Sequence, residues 1–550
     1  MKFKFWFIRI ACIGIFGALL ANLYIIQVSK GQYYTKQAQA QDAASGELEA
    51  QRGVLYMTDK NGNAIPAVLN KDYPILYAVP KELEKPNEAA LAIAPLVQIP
   101  VETLEKSFNK HNDLYELIKE KASDEEVERV KALQIKGIYE KDESFRFYPF
   151  GTMASQVFGF VSSGQDDKVS GRYGLELQFD QELRGINGVI KKDSIQGPQA
   201  GKDIYTTLDR NVQAEAEQII KSLMSQWNAD SASAIVEDPY TGKILAMANM
   251  PSFDPNEYSQ YDIGTFLNNC VQSLYEPGSV IKVLTMSAGI DSGKITPDTT
   301  YHDTGSLTLN GMTIYNWDRK AHGTLTMTNV IEQSLNTGAA FAERTMGKDI
   351  FASYFKNFGL GEATGINLPG EIRGNIRNIE GSKEEINYAT ASYGQGIAIT
   401  PIELITAESA IANGGLLLKP IIRTDEETQV IRRVMSEETA NKVKNMMVSA
   451  VDKNILAAIP QYNIAGKTGT AFIPKPKGGG YYNDKFINTF IGFAPASHPK
   501  FIILLKLVNP QHAPLAGQTV VPAFKNFAQY LLNYYEIAPD RTATTTPTHE

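Results

Sequence analysis

The stretch Glu276-Pro277-Gly278-Ser279-Val280-Ile281-Lys282 places a serine and a lysine three residues apart, directly after a Pro-Gly turn. If a helix begins at Ser279 and runs to Ile290, its 3.6-residue period puts the Ser279 hydroxyl and the Lys282 amine on one face. The Ser279 backbone N–H then lies at a helix N-terminus, where unpaired donors stabilise developing negative charge. The stretch therefore predicts a nucleophile beside a base.

The spacing S-x-x-K is weak evidence by itself, because the chain contains it four times. The copies are Ser107/Lys110, Ser279/Lys282, Ser353/Lys356 and Ser497/Lys500. The third copy lies in a segment with the pattern of an amphipathic helix, and the fourth spans a proline-containing turn. We select the second copy because of the motifs that follow it.

Two later motifs complete the pattern. Ser334-Leu335-Asn336 lies between two predicted helices, and its serine and asparagine can both point into a cleft only from a loop, since residues two apart do not share a helix face. Lys467-Thr468-Gly469-Thr470 occurs once, within a strand-like stretch. Strict alternation in a strand puts Thr468 and Thr470 on one side and sends the Lys467 side chain to the other.

Composition and charge limit the function classes. With 550 residues, 43% hydrophobic and 21% charged, the chain is globular in composition and long enough for more than one domain. Its net charge of −8 gives no support for a nucleic-acid partner. The two cysteines, Cys12 and Cys270, and the six scattered histidines have no metal-site spacing, so we predict no metal.

The N-terminus carries a membrane signal. The 19 residues of 10–28 include no charge and follow Lys2, Lys4 and Arg9. A run of about 20 apolar residues suits a bilayer, and the basic flank places residues 1–9 in the cytoplasm and the rest outside. A cleaved signal peptide is the alternative, but the run is long for one and no clear A-x-A site follows. We expect a single-pass anchor in the cytoplasmic membrane.

The remaining chain divides into a stalk over 29–50, a non-catalytic pedestal domain over 51–200, a second domain over 201–539 and a disordered tail over 540–550. The pedestal has helical patterns over 88–97, 101–110, 113–121 and 124–133, the last opened by a capping box at Ser123 and Glu126. In the second domain, predicted strands lie at 233–236, 244–247, 462–472, 486–493 and 501–508, with a block of helices between. This order predicts an α+β fold, an antiparallel sheet with helical layers.

Together and in order, the three motifs resemble the S-x-x-K, S-x-N and K-T-G set of the penicillin-binding protein and serine β-lactamase superfamily. Further segments are similar to class B penicillin-binding proteins, so the resemblance covers nearly the whole chain. These segments are Arg52-Gly53, Arg146-Phe147-Tyr148-Pro149, Gly174-Leu175-Glu176, Asp238 to Gly242, Pro251 to Asn256, Tyr393 to Gly396 and Phe490 to Pro495. The resemblance implies that 201–539 is a transpeptidase domain.

The resemblance also implies roles for the motif residues. Ser279 attacks the carbonyl between the last two D-alanines of a peptidoglycan stem peptide and forms an acyl-enzyme. Lys282 is the base, and burial together with repulsion from Lys467 lowers its pKa so that it is neutral. Ser334 relays a proton to the leaving amine, and Asn336 holds the substrate amide.

On the K-T-G strand, the resemblance implies that Thr468 and Thr470 bind the terminal carboxylate, while Gly469 lets the acyl donor lie against the strand. The backbone N–H groups of Ser279 and Thr470 form the oxyanion hole. We expect strand twist to bring Lys467 into the same cleft.

The resemblance implies a membrane-anchored D,D-transpeptidase that β-lactams acylate, with no metal or organic cofactor. Its implied partners are a polytopic peptidoglycan glycosyltransferase and other wall-synthesis membrane proteins. Glu276 before Pro277-Gly278 is more similar to division-type than to elongation-type enzymes. A D,D-carboxypeptidase, a β-lactamase or a β-lactam sensor on the same scaffold is one alternative, and a catalytically silent wall-assembly scaffold is another.

Overall fold

The structure is a computed structural model, and it describes residues 47–48, 50–164, 169–191, 194–476, 478–513 and 515–541. The predicted cytoplasmic tip, the predicted transmembrane helix over 10–28, nearly all of the stalk and residues 542–550 lie outside these ranges. Among the helices within the ranges, none combines the length and the apolar character needed to cross a bilayer.

A five-stranded sheet organises the N-terminal domain. The strands of this region are β1 (Glu47–Leu48), β2 (Leu55–Thr58), β3 (Ala64–Ala78), β4 (Glu116–Lys119), β5 (Ile138–Phe147), β6 (Val161–Ser163), β7 (Val169–Gly171), β8 (Gly188–Lys191), β9 (Ser194–Gln196) and β10 (Ile204–Asp209). The longest strand of the sheet, β3, pairs with β2, β4 and β5, and β2 also pairs in parallel with β10. The helices are α1 (Pro86–Val97), α2 (Val101–Phe108), α3 (Asp124–Ala132), α4 (Ser155–Phe158), α5 (Gly174–Gln178) and α6 (Asp180–Leu183).

One predicted helix of this domain is wrong. The segment 113–121 contains strand β4, in which Glu116 and Ile118 point inward and alternate with the exposed Leu117. Pairing with the end of β3 decides the conformation, because alternate residues of a strand point to the same side and are buried there together.

The predicted capping box of α3 is confirmed: Ser123 Oγ accepts from the Glu126 N–H, and the Glu126 carboxylate accepts from the Ser123 N–H.

A buried ionic cluster ties three distant segments of this domain together. The Glu176 carboxylate, fully buried, accepts from Arg52 Nε at 2.7 Å and from Arg146 Nε at 2.6 Å. Arg52 also donates to Asp180 at 2.8 Å. Two guanidinium groups therefore share one desolvated carboxylate. The three segments that carry Arg52, Arg146 and Glu176 are all among those that resemble class B penicillin-binding proteins.

The second domain is built on an antiparallel sheet of five strands. The strands are β11 (Ser231–Glu237), β12 (Ile244–Met250), β19 (Ala465–Pro474), β20 (Tyr481–Ala494) and β21 (Phe501–Val508). They lie in the order β12-β11-β21-β20-β19, so β19 is an edge strand. Each overlaps a predicted strand, which confirms the antiparallel sheet with helical layers.

Helices cover both faces of this sheet. On one face Phe490, Leu505 and Ala234 pack in the same core as α7 (Arg210–Gln226) and α16 (Val520–Tyr534). The opposite face packs with α9 (Lys282–Asp291), α14 (Pro401–Ala412) and α15 (Glu437–Asn454). The other elements are α8 (Asn269–Gln272), β13 (Thr300–Asp303), β14 (Ser306–Leu309), β15 (Met312–Tyr315), β16 (Gly323–Thr326), α10 (Met327–Gln333), α11 (Asn336–Met346), α12 (Lys348–Asn357), α13 (Glu385–Ala391), β17 (Leu416–Leu418) and β18 (Val430–Arg433).

The junction between the domains is a continuous strand and helix. Asp209 ends β10 and caps α7, because its carboxylate accepts from the N–H groups of Asn211 and Val212 at 2.9 and 3.2 Å.

At the other end of the domain, Asp540 accepts from the Asn463 N–H and Arg541 pairs with Asp452. These first two residues of the predicted disordered tail thus pack against the domain.

The buried ionic cluster predicts a large loss of stability for Glu176→Gln, because two buried guanidinium groups would lose their shared negative charge. We expect a loss of roughly 3–5 kcal/mol in the free energy of unfolding, measured by urea denaturation of the purified protein. Glu125→Gln is the matched control, since Glu125 pairs with Arg129 on the exposed face of α3. Its expected loss is about 0.3–0.5 kcal/mol, and equal losses in the two variants would contradict the prediction.

Candidate active site

Ser279 lies in a tight turn at the start of α9. Residues Gly278–Ile281 form a 3₁₀ turn and the α-helix begins at Lys282, three residues later than predicted. Side chains at i and i+3 eclipse in a 3₁₀ turn, which brings the serine and the lysine closer than an α-helix would. The Lys282 Nζ atom lies 2.9 Å from Ser279 Oγ, so the predicted pairing of nucleophile and amine is present.

A close approach between the turn and the K-T-G strand fixes this geometry. Gly278 has φ +64°, and a Cβ there would lie 3.2 Å from the Thr470 carbonyl oxygen. A Cβ on Gly469 would lie 2.8 Å from the Pro277 carbonyl oxygen. Glycine is therefore required at both positions for the turn to pack directly on the strand.

The S-x-N motif reaches the same place from a helix junction. Ser334 caps the end of α10 in the left-handed region, with φ 56°, and Asn336 is the first residue of α11. Lys282 Nζ lies 2.6 Å from the Ser334 carbonyl oxygen and 2.8 Å from Asn336 Oδ1. The predicted non-helical connection is present at Ser334 and Leu335, whereas Asn336 already belongs to α11, and both polar groups lie against Lys282.

Lys467 enters the cleft from β19. Its side chain is 3% exposed, and its Nζ donates to Ser334 Oγ at 2.9 Å. The same nitrogen lies 3.1 Å from the carbonyl oxygen and 3.3 Å from the hydroxyl of Thr468. The Thr470 hydroxyl accepts from the Ala516 N–H at 3.2 Å. All three motifs thus meet in one place.

Ser334 Oγ occupies the position between the two amines. It lies 2.9 Å from Lys467 Nζ and 3.3 Å from Lys282 Nζ, and Lys282 in turn touches Ser279. Three polar contacts therefore form a chain from Ser279 through Lys282 and Ser334 to Lys467. A proton can pass along such a chain without leaving the site.

Burial controls the charge of both lysines. Lys282 is 0% exposed, and burial lowers its pKa well below the ordinary value, with repulsion from Lys467 acting in the same direction. Burial also lowers the pKa of Lys467, to about 7, and the carboxylate of Glu408 opposes that shift. Because its pKa lies well below the ordinary value, Lys282 can lose its proton and act as a base.

Several supporting residues were not assigned a role from the sequence. Asn316 Oδ1 accepts from the N–H groups of Asn336 and Thr337, and its amide donates to Asp303 at 2.9 Å. This network holds the first turn of α11. Asn316 lies outside the three motifs, and only the fold brings its side chain to α11.

Glu276 connects the turn to the strand hairpin. Tyr481 donates its hydroxyl to the Glu276 carboxylate at 2.8 Å, and the Gly396 N–H donates to the same carboxylate at 3.2 Å. The side chain thus joins the S-x-x-K turn, β20 and the loop around Gly396.

Among the residues described by the structure, there is no group of three His, Cys, Asp or Glu side chains that could hold a metal ion.

Comparison with known families and proteins agrees with this geometry. Residues 232–529 match the penicillin-binding protein transpeptidase domain, and residues 47–230 match the penicillin-binding protein dimerisation domain. Stage V sporulation protein D of Bacillus subtilis is 30% identical, over 93% of this chain and 83% of that protein. The probable peptidoglycan D,D-transpeptidase PenA of Neisseria meningitidis is 29% identical, over 98% of this chain and 94% of that protein.

A solved structure is similar over most of the chain. Penicillin-binding protein 3 of Mycobacterium tuberculosis, complexed with aztreonam, superposes with a TM-score of 0.69 at 26% identity. The similarity covers 90% of this chain and 98% of that one. With both domain families matched in their usual order, the chain belongs to the class B penicillin-binding proteins.

Proposed function

We propose that this protein is a serine D,D-transpeptidase that cross-links peptidoglycan stem peptides through an acyl-enzyme on Ser279. The observation that carries the proposal is the 2.9 Å contact between Ser279 Oγ and the buried amine of Lys282. A relative of similar length is named a probable peptidoglycan D,D-transpeptidase, which supports the same reaction. We assign β-lactams as covalent inhibitors, because they present an amide carbonyl to the same nucleophile.

In the first half-reaction, Ser279 Oγ attacks the carbonyl carbon of the terminal D-Ala-D-Ala bond and its proton passes to neutral Lys282. The oxyanion is stabilised by the backbone N–H groups of Ser279 and Thr470. The C–N bond then breaks. Ser334 gives its hydroxyl proton to the leaving D-alanine amine and takes a replacement from Lys282, which lies 3.3 Å away.

In the second half-reaction, the amine of another stem peptide attacks the ester carbonyl, a new amide forms, and Ser279 Oγ leaves with a proton. Asn336 holds the peptide amide of the donor. Before the C–N bond of the donor breaks, Lys467 and the hydroxyls of Thr468 and Thr470 bind the carboxylate of its terminal D-alanine. The donor lies along β19, whose position at the sheet edge leaves backbone groups open to an extended peptide.

The setting of the reaction is part of the proposal. The uncharged run over 10–28 anchors the protein in the cytoplasmic membrane with residues 1–9 inside and the catalytic domain outside. The partners are a polytopic peptidoglycan glycosyltransferase and other wall-synthesis membrane proteins. We assign the protein to the division type, on the basis of Glu276 before Pro277-Gly278.

Penicillin labelling tests the nucleophile. Mass spectrometry of the native protein after treatment with benzylpenicillin should find one added penicillin on the peptide that contains Ser279, and none in Ser279→Ala. Attachment at another serine, or equal labelling of the two proteins, would contradict the assignment. Release of the adduct within minutes would instead indicate a β-lactamase.

The Lys282→Ala variant tests the base. We expect it to fold normally and to be acylated by a fluorescent penicillin roughly 10²–10⁴-fold more slowly, the usual contribution of a general base. Lys356→Ala is the matched control, because Lys356 belongs to another S-x-x-K copy, on helix α12. Equal acylation rates in the wild type and Lys282→Ala would remove this lysine from the role of base.

The two lysine pKa values predict a pH profile with two limbs. Acylation needs neutral Lys282, so the rate falls as pH drops through the lowered pKa of that amine. The rate also falls as pH rises through the pKa of Lys467, about 7 in the free protein, because its positive charge is lost. Measurement of the acylation rate from about pH 5 to about pH 9 checks this, and a flat profile would contradict it.

A further inference from the structure

The part of the K-T-G strand that carries Thr470 is contacted by a segment outside the three motifs. Residues 515–519 lie between β21 and α16, and Ala516–Gln518 form a 3₁₀ turn. The Ala516 N–H donates to Thr470 Oγ at 3.2 Å. Ala516 is 1% exposed, so this donor belongs to a packed part of the domain.

Two further contacts fix the position of this donor. The strand register places Asn488 of β20 beside Thr470 of β19, and Asn488 is fully buried. Its Nδ2 atom donates to the Ala513 carbonyl oxygen at 3.2 Å and to Thr519 Oγ at 3.0 Å, one on each side of the 3₁₀ turn. Ala516 also packs in the core that includes α16 and one face of the sheet. The Ala516 N–H is therefore held against Thr470 by the fold.

This contact decides what the Thr470 hydroxyl can offer to a ligand. A hydroxyl has one hydrogen and two lone pairs, and a backbone N–H can only donate. The Ala516 N–H thus occupies a lone pair of Thr470 Oγ, and the hydroxyl hydrogen must point elsewhere. Among the described residues, no acceptor takes that hydrogen. A directed donor therefore remains on the edge strand.

Thr468 has the same arrangement with a different donor. Its hydroxyl lies 3.3 Å from Lys467 Nζ, which in its protonated form can only donate. Alternation puts Thr468 and Thr470 on one side of β19, so two directed O–H donors lie together. An ionised carboxylate offers two acceptor oxygens to such a pair, whereas an amide offers only one.

We propose that Ala516 is a positioning residue: its N–H orients the Thr470 hydroxyl as a donor, and the site thereby selects acyl donors with an ionised terminal carboxylate over donors in which that group is an amide. This inference rests on the proposed function, in which Thr470 binds the terminal carboxylate. It adds the group that sets the direction of the hydroxyl. Ala516 touches neither substrate nor the reacting atoms, and it acts through Thr470.

Ala516→Pro removes this N–H with little change to the backbone. Ala516 is the first residue of the 3₁₀ turn, where the backbone φ is close to the fixed φ of proline. The preceding Leu515 is extended, with φ −105° and ψ 133°, as the residue before a proline should be. Ala516→Gly is the matched control, because it changes the same residue and keeps the N–H. The melting temperature of each variant checks that it is folded.

The measurement compares acylation of the full chain by benzylpenicillin and by benzylpenicillin amide, in which a carboxamide replaces the carboxylate. The penicillin carboxylate stands in for that of the terminal D-alanine, so we expect the wild type to react faster with benzylpenicillin. Ala516→Pro should react with benzylpenicillin about two- to tenfold more slowly, the effect of one hydrogen bond, and with the amide at close to the wild-type rate. The ratio of the two rates therefore falls, while Ala516→Gly keeps the wild-type ratio.

An unchanged ratio in Ala516→Pro, whether both rates fall or neither does, would overturn the proposal. Equal rates with the two probes in the wild type would overturn it as well, because the site would then not select a carboxylate.

Thr470→Val provides a second variant, because valine has nearly the shape of threonine and lacks the hydroxyl. If Ala516 acts through that hydroxyl, adding Ala516→Pro to Thr470→Val causes no further loss of the benzylpenicillin rate. A further loss as large as in the single variant would show that the proline acts through the backbone structure, which contradicts the proposal.

The outcomes also separate this inference from the proposed function. If the wild-type protein forms no adduct on Ser279, the transpeptidase proposal fails. If the adduct forms normally and the ratio of rates is the same in the wild type and Ala516→Pro, only the role of Ala516 fails.

Discussion

The burial of the Lys282 amine is the constraint on which the active site depends. A lysine in water carries a proton at neutral pH and cannot accept another from a serine. Here the amine is 0% exposed and lies near a second lysine, and both effects lower its pKa. Its neutral form is then satisfied by Ser279, Ser334 and Asn336, which contact the same nitrogen. Two of the motifs supply the groups that contact this nitrogen, and the third supplies Lys467, whose charge helps to lower its pKa.

Close backbone packing makes that meeting possible. The turn before Ser279 lies so near the K-T-G strand that Gly469 has no room for a Cβ atom, and Gly278 has the positive φ that favours glycine. The resemblance implies that Gly469 lies against the substrate, and the structure adds a second reason for a glycine there, the close approach of the Pro277 carbonyl oxygen. Glu276 also holds this turn in place, because its carboxylate accepts hydrogen bonds from Tyr481 and from the Gly396 N–H.

Much of this arrangement could be predicted from the sequence, because short stretches of residues carry the motifs, the strand patterns and the helix caps. The order of the three motifs, the strands of the antiparallel sheet and the capping box at Ser123 are examples. The strand at Glu116–Lys119 could not be predicted, because pairing with a distant segment outweighs the local pattern. The supporting role of Asn316 was also missed, because only the fold brings its side chain to the first turn of α11.

The junction at Asp209 has a mechanical consequence. The chain leaves the N-terminal domain through β10, which pairs with β2, and it enters α7 at once. The Asp209 carboxylate that caps α7 also accepts from the Tyr534 hydroxyl at the end of α16. A load applied to the N-terminal domain would therefore pass directly into the transpeptidase domain through this strand and helix. Such a coupling transmits displacement, where a flexible tether would absorb it.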